Sequence, residues 1–185
     1  MLVDHSDVFL SFVDEIGINT WEPIIDVGNR SADLLGALMD RDYRNLSLLN
    51  PSAPALGSVQ MQLGLRATRV KWYCHEIDYF TVPHSYRLWH DGAVFLRLRD
   101  EAERKRYLSK VEEALHADGH LILGVYDQDH ASPESATLGY SPEALRQAVG
   151  DSFDLQQVRR VRPRMPGRPH PGMIYGRFVR KAADT

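Results

Sequence analysis

The stretch PIIDVGNRSADLLGAL, residues 23–38, decides the fold. Residues 24–27, IIDV, are mostly apolar and are followed by Gly28. This pattern is typical of a strand followed by a tight turn. The residues after the turn carry leucines at helical spacing, at positions 34, 35 and 38. The stretch therefore predicts a strand, a turn and a helix in that order.

The same unit recurs along the chain. Apolar runs predict further strands at residues 46–49, 69–74, 86–89 and 120–126, and a helical pattern covers residues 52–63. The clearest helix begins at Asp100, which can cap it, and ends at Asp118-Gly119. Its apolar stripe consists of Tyr107, Leu108, Val111 and Leu115.

The end of the chain has a different character. Ser141-Pro142-Glu143 is typical of a helix start, and Gly150 closes that helix. Residues 153–158 and 173–179 read as strands with no helix between them, which predicts an antiparallel pair. We therefore expect an α/β fold with a doubly wound, mostly parallel seven-stranded sheet and an antiparallel last strand.

In such a sheet the ligand cleft lies beyond the carboxyl ends of the parallel strands. The loops that begin at these ends should surround one cleft, and they start at Asp26, Leu49, Cys74, Trp89 and Tyr126.

Length and composition indicate one domain spanning residues 1–185. Residues 1–20 should form an N-terminal cap helix, with Val8, Phe9 and Phe12 on its apolar side and Gly17 as its stop. The formal charge of −3 provides no general attraction to nucleic acid or to an anionic membrane. A single cysteine, no signal-like start and no long apolar run together predict a soluble cytoplasmic protein.

Several landmarks resemble the small bacterial class I S-adenosylmethionine-dependent methyltransferases. Residues 26–32, DVGNRSA, are similar to the first-loop pattern D-V-G-C-G-x-S, and residues 88–95, LWHDGAVF, resemble the L-W-H-D-R-A-V-F run of one subgroup. The other matches are Arg104 and Tyr107, residues 119–122 and residues 140–143. The likeness covers about residues 23–181 and implies a Rossmann-like methyltransferase fold with S-adenosylmethionine as cofactor.

The resemblance also implies cofactor-binding residues. Asp26, Gly28 and Asn29 correspond to the first loop, Asn50 to the acid that binds the ribose, and Glu76 to the acid near the adenine amino group. Two positions depart from the family pattern: Arg30 stands where the family has a second glycine, and Asn50 lacks the charge of the usual acid. Both changes should weaken cofactor binding.

The resemblance also implies that His90 and Asp91 are the candidate catalytic residues, because in that family the loop after the fourth strand usually faces the transferred methyl group. They would orient the acceptor or take its proton. The structural alternative is that the pair caps and turns the end of the strand.

Other chemistry-bearing residues favour structural roles. The histidines show no metal-binding spacing on a shared helical face, Cys74 should be a buried thiol, and Trp72 and Trp89 should be core residues. The basic, proline-rich segment 159–172 is predicted to be a solvated loop, and the alternative is a clamp for an acidic substrate or nucleic acid.

Two functions follow from the sequence. The first is a methyltransferase that acts on a small molecule or a protein side chain, with no membrane partner and no expected nucleic-acid partner. The second is a non-catalytic relative that uses the same fold for binding or regulation, which Arg30 and Asn50 favour. We also expect that the chain can form a homodimer.

Overall fold

Seven strands and five α-helices make up the part of the chain that the computed structural model describes, residues 5–28, 32–130, 139–161 and 172–182. The strands are β1 (Ile24–Val27), β2 (Leu46–Leu49), β3 (Val70–Tyr73), β4 (Tyr86–Asp91), β5 (Leu115–Tyr126), β6 (Phe153–Val161) and β7 (Met173–Arg180). The helices are α1 (His5–Ile16), α2 (Asp33–Asp40), α3 (Ala53–Leu63), α4 (Glu101–Ala114) and α5 (Pro142–Val149).

The strands form one sheet in the order β3-β2-β1-β4-β5-β7-β6. Strands β1 to β5 pair in parallel, whereas β7 is antiparallel to both β5 and β6. The predicted doubly wound sheet with an antiparallel last strand is therefore confirmed. Reversal of the strand order at β1 and β4 creates the crevice in which ligands of such sheets bind.

The two faces of the sheet are buried by different helices. On one face, α1, α2 and α3 pack over side chains such as Ile24, Leu48 and Ile122. On the other face, α4 and α5 pack over side chains such as Ile25 and Leu123. Because side chains alternate along a strand, each central strand contributes to both layers of the core.

Side chains cap three helices, and two of these caps, Asp100 and Ser141, agree with the prediction. Ser52, Asp100 and Ser141 each accept a hydrogen bond from a backbone N–H in the first turn of the helix that follows. Gly17 follows α1 with a φ of 69°, a left-handed conformation that suits glycine at a helix end.

The predicted end of the helix after Asp100 is wrong by four residues. Helix α4 ends at Ala114, and Leu115 pairs with Tyr86 at the beginning of β5. Leu115 is apolar because it is buried in the sheet, and its spacing from Val111 happens to match the apolar stripe of the helix. The sequence pattern therefore extended the predicted helix too far. Asp118, with a φ of 63°, then turns the chain before the main part of the strand.

The predicted loop 159–172 is also partly corrected, because β6 continues to Val161. Arg159 donates to Ser11 and Glu15 of α1 and lies over the Phe12 ring, 4.6 Å from its centroid. The remainder of the predicted loop, residues 162–171, lies outside the described residues.

Arg160, the next residue of β6, forms ion pairs with Asp127 and Asp129 at 3.1 and 3.4 Å. Both arginines of the described part of the basic segment therefore make contacts within the chain.

Trp72 in β3 and Cys74 just after it are more exposed than the sequence predicts. Trp89 is fully buried as expected, but Trp72 is only partly buried and donates its indole N–H to the Ala67 carbonyl. Cys74, predicted to be buried, is exposed, because β3 is an edge strand and ends at Tyr73.

No helix in the described ranges is both long and apolar enough to span a bilayer.

His120 is a buried histidine near the start of the main part of β5. Its side chain is 7% exposed, and Nδ1 has no hydrogen-bond partner among the described residues. Burial, together with the charges of Arg87 and Arg177 and against the opposing charge of Asp118, lowers the pKa of His120 from 6.5 to about 4. The folded protein therefore holds His120 neutral at pH values where the unfolded chain binds a proton.

Acidification should consequently destabilise the protein through His120. Between pH 6.5 and about 4 only the unfolded state takes up this proton, so the free energy of unfolding falls as pH falls through that window, by at most about 1.4 kcal/mol per pH unit. Urea unfolding at pH 7 and pH 5 should show a smaller pH-dependent loss for His120→Gln than for the parent. Equal losses in both proteins would contradict the assignment.

Candidate functional site

A cavity of about 220 Å³ opens at the carboxyl ends of β1 and β2. Val27, Leu49, Ile77 and Leu98 provide apolar walls, and Gly28, Asn50 and Glu76 are among its other lining residues. Pockets for drug-sized ligands measure about 300–1,000 Å³, so this cavity suits a nucleoside-sized part of a ligand. Three of the five predicted cofactor-binding residues therefore line one cavity.

Gly28 forms the floor of the cavity where the chain leaves β1. It has a φ of 76°, and its N–H donates to the Leu49 carbonyl at 2.8 Å, which fixes the turn beside β2. A Cβ atom at this position would lie 2.5 Å from Cγ2 of Val94. Glycine is thus required both by the backbone conformation and by the close approach of Val94.

Asn50 lies directly after β2 and is 4% exposed. Its Oδ1 accepts a hydrogen bond from the Ser52 N–H at 2.9 Å, and Ser52 in turn caps α3. The side chain therefore forms an Asx turn that shapes the cavity wall before the helix. The resemblance predicted Asn50 as a ribose-binding residue, but the sequence did not reveal its role in the Asx turn.

Glu76 lies beyond β3 at the opposite side of the cavity, where it is exposed. The neighbouring Cys74 is also exposed, and its Sγ lies 3.7 Å from the carbonyl oxygen of Pro51, another cavity residue. The Cys74 thiol thus lies next to a residue that lines the cavity, although it does not line the cavity itself.

Asp26 and His90 form a buried pair at the ends of two adjacent strands. They are partners in the register of β1 and β4, and His90 Nδ1 lies 2.8 Å from Asp26 Oδ1. A carboxylate only accepts hydrogen bonds, so His90 Nδ1 is the donor in this contact. Helix α1 covers the pair, because the Phe9 ring meets the His90 ring edge-on at 4.3 Å.

Sequence reasoning assigned Asp26 and His90 to different roles and missed their contact. They are separated by 64 positions, and only the parallel pairing of β1 with β4 brings them together. Neither residue lines the cavity described above. His90 as a catalytic residue remains a prediction.

Asp91 points to the opposite face of the sheet and is completely buried. Its Oδ1 accepts the N–H groups of Ala93 and Val94 at 2.8 and 2.6 Å, and its Oδ2 accepts those of Phe95 at 2.8 Å and the Tyr107 hydroxyl at 2.5 Å. This geometry agrees with the structural alternative, a cap for the turn after β4. A carboxylate so enclosed has no access to an acceptor molecule.

Asn29 and Arg30, the other first-loop positions singled out by the sequence, lie outside the described residues. Within the described ranges, no group of three or more histidine, cysteine or carboxylate side chains is arranged to hold a metal ion.

The chain is similar to solved structures of methyltransferases. The chain is similar to the N-methyltransferase NodS of Bradyrhizobium japonicum in complex with S-adenosyl-L-homocysteine, with 12% identity and a TM-score of 0.73 over 97% of this chain and 89% of that one. It is also similar to an S-adenosylmethionine-dependent methyltransferase of Clostridium acetobutylicum, with 10% identity and a TM-score of 0.74 over 97% and 93%.

A third similar structure is magnesium protoporphyrin IX methyltransferase of Synechocystis with bound S-adenosylmethionine. It has 15% identity and a TM-score of 0.72 over 95% of this chain and 78% of that one. The chain has the Rossmann-like methyltransferase fold. No family model matches the sequence, and no curated protein is significantly similar to it.

The contact between Gly28 and Val94 can be tested by adding one methyl group. We expect Gly28→Ala to lower the free energy of unfolding by about 1–3 kcal/mol more than Gly17→Ala, because overpacking adds to the cost of the left-handed backbone. Gly17 is a matched control, since its φ is 69° and a Cβ added there would meet no atom of the described residues within 4 Å. Urea denaturation measures both losses, and adding Val94→Ala should recover part of the Gly28→Ala loss.

Proposed function

We propose that this protein is an S-adenosylmethionine-dependent methyltransferase that binds the adenosine part of its cofactor in the cavity between Gly28, Asn50 and Glu76. The observation that carries the proposal is the position of these three residues around one cavity at the switch point of the sheet. Similar folds that contain S-adenosylmethionine or S-adenosyl-L-homocysteine support it.

The lining of the cavity suits adenosine in shape and chemistry. The side chains of Leu49, Ile77 and Leu98 can enclose a flat base, and the exposed carboxylate of Glu76 can accept from its amino group. Asn50 lies where the ribose would sit beside β2. The bare backbone of Gly28 permits close approach of the ligand along the end of β1.

The cofactor supplies a methyl group attached to a positively charged sulfur. For the protein's own part, we propose that His90 receives a proton from the acceptor on Nε2 while Asp26 holds its Nδ1–H. The orientation of the imidazole by a buried carboxylate supports this role, since a fixed tautomer keeps Nε2 available as an acceptor.

The acceptor that we propose is a small molecule or a protein side chain. The structure supports this class rather than nucleic acid through the two described arginines of the basic segment, Arg159 and Arg160, which are bound to acids of the same chain. Their charges are therefore largely neutralised and contribute little to phosphate binding.

A non-catalytic binding protein is the second candidate function. It is favoured by Asn50, whose Oδ1 already accepts the Ser52 N–H and which carries no charge to strengthen a ribose contact. A protein of this kind would bind the ligand without transferring a methyl group. Binding and turnover must therefore be measured separately.

Titration calorimetry with S-adenosyl-L-homocysteine and S-adenosylmethionine tests the cavity assignment. We expect Glu76→Ala to weaken binding by roughly ten-fold or more, because a hydrogen bond to a charged group is lost. Asn50→Asp should strengthen binding by several-fold, since a carboxylate can keep the Asx turn and provide a charged acceptor.

Asp151→Ala, which removes an exposed acid far from the cavity, is the control and should bind as the parent does. Failure of the parent to bind either ligand at millimolar concentration would refute the proposed function. If the parent binds but mass spectrometry finds no methylated product over a panel of small molecules and peptides, the binding-protein alternative replaces it.

Cys74 offers a second measurement that requires no acceptor. It is the chain's only cysteine, it is exposed, and it lies beside the cavity mouth. A bound ligand should therefore slow its alkylation by a maleimide, by roughly three-fold or more at saturation, because access is obstructed. The same ligand concentration should protect Glu76→Ala less, and equal alkylation rates with and without ligand would place the binding site elsewhere.

A further inference from the structure

Three buried side chains connect helix α4 to the wall of the cavity. The Trp89 indole N–H donates to the Tyr107 hydroxyl oxygen at 3.0 Å, and that hydroxyl donates to Asp91 Oδ2 at 2.5 Å. Asp91 accepts the N–H groups of the turn that leads to Val94. Val94 lines the cavity and lies against Gly28.

We infer that Tyr107 is a positioning residue for the cofactor cavity, because its hydroxyl fixes Asp91 and thereby holds Val94 against Gly28. The identity of the ligand in this inference rests on the proposed function. The mechanical part, in which Tyr107 holds the turn after β4, rests on the hydrogen bonds alone.

The hydroxyl of Tyr107 is well suited to this task. Burial raises the pKa of Tyr107 above its usual range, and the nearby charge of Asp91 raises it further, so the hydroxyl keeps its proton and donates. With Tyr107 and Phe95 both bound to Oδ2, and Ala93 and Val94 both bound to Oδ1, the carboxylate has a single orientation.

A purely structural role would be carried by the ring rather than by the hydroxyl. The Tyr107 ring packs against Trp89 and Phe95, with centroid separations of 6.3 and 5.9 Å. A phenylalanine at position 107 would keep both ring contacts and lose only the two hydrogen bonds. Tyr107→Phe therefore separates positioning of the turn from filling of the core.

We expect Tyr107→Phe to weaken binding of S-adenosyl-L-homocysteine by about ten-fold or more, measured by calorimetry well below the unfolding temperature. Tyr86→Phe is the matched control. Tyr86 is equally buried in the same layer of the core and its hydroxyl contacts Ser47, but it does not line the cavity. Its variant should bind the ligand as the parent does, whatever its loss of stability.

A double-mutant cycle with Val94→Ala tests the path of the effect. If Tyr107 acts through Val94, the effects of Tyr107→Phe and Val94→Ala on affinity are not additive, and the double variant binds nearly as well as Val94→Ala alone. Additive losses would show that Tyr107 acts by another route. Unchanged affinity in Tyr107→Phe would overturn the inference.

Hydrogen exchange of the ligand-free protein distinguishes failure of this inference from failure of the proposed function. The amides of Ala93, Val94 and Phe95 should lose about ten-fold or more of their protection in Tyr107→Phe but not in Tyr86→Phe. If the parent binds no ligand, the proposed function fails, and this exchange pattern alone decides whether Tyr107 holds the turn. Unchanged protection of the three amides would refute that role.

Discussion

The buried carboxylate of Asp91 accepts four hydrogen bonds, and the shape of the cavity depends on where they hold the chain. An unpaired carboxylate at this depth would cost several kcal/mol, so burial is tolerated only when every donor is in place. Three of the donors are successive backbone N–H groups, which forces residues 93–95 into one tight turn. The fourth donor belongs to α4, and it ties the turn to the helix layer. The cavity wall at Val94 is thus set by electrostatics in the core rather than by the cavity surface.

Strand β4 extends this constraint to both faces of the sheet because its side chains alternate in direction. Trp89 and Asp91 face α4, whereas His90 faces α1 and binds Asp26. The run LWHDGAVF therefore contains two separate sets of polar contacts, one on each face of β4. On the α4 face, the hydrogen bonds of Asp91 fix the turn that borders the cavity. On the α1 face, the contact with Asp26 orients the imidazole of His90. If β4 shifted by one residue, the side chains of His90 and Asp91 would each face the opposite helix layer. The contacts of these two residues therefore specify the register of the strand.

The sequence was sufficient to predict the order of the elements because local signals mark them: apolar runs for the strands, and Asp100 and Ser141 for two helix starts. It was also sufficient to predict that Gly28, Asn50 and Glu76 lie around one cleft, because the carboxyl ends of parallel strands share one edge of the sheet. Local signals did not predict the features that depend on contacts between residues distant in the sequence. The end of α4 depends on the pairing of Leu115 with Tyr86, and the exposure of Cys74 depends on β3 being an edge strand. The contacts of Asp91 with Tyr107 and of His90 with Asp26 likewise arise only when the sheet is assembled.

Asn50 shows how a binding site can keep its shape while its charge changes. The side-chain oxygen that accepts the Ser52 N–H holds the entry to α3, and an aspartate at the same position could make the same bond. The structural part of the position is therefore satisfied by either residue. Only the ligand would experience the difference, because an amide provides a neutral acceptor and a carboxylate a charged one. The Asx turn consequently places no constraint on the charge of the side chain at position 50. Under the proposed function, the charge at position 50 is one determinant of cofactor affinity, beside the carboxylate of Glu76 and the cavity wall at Val94.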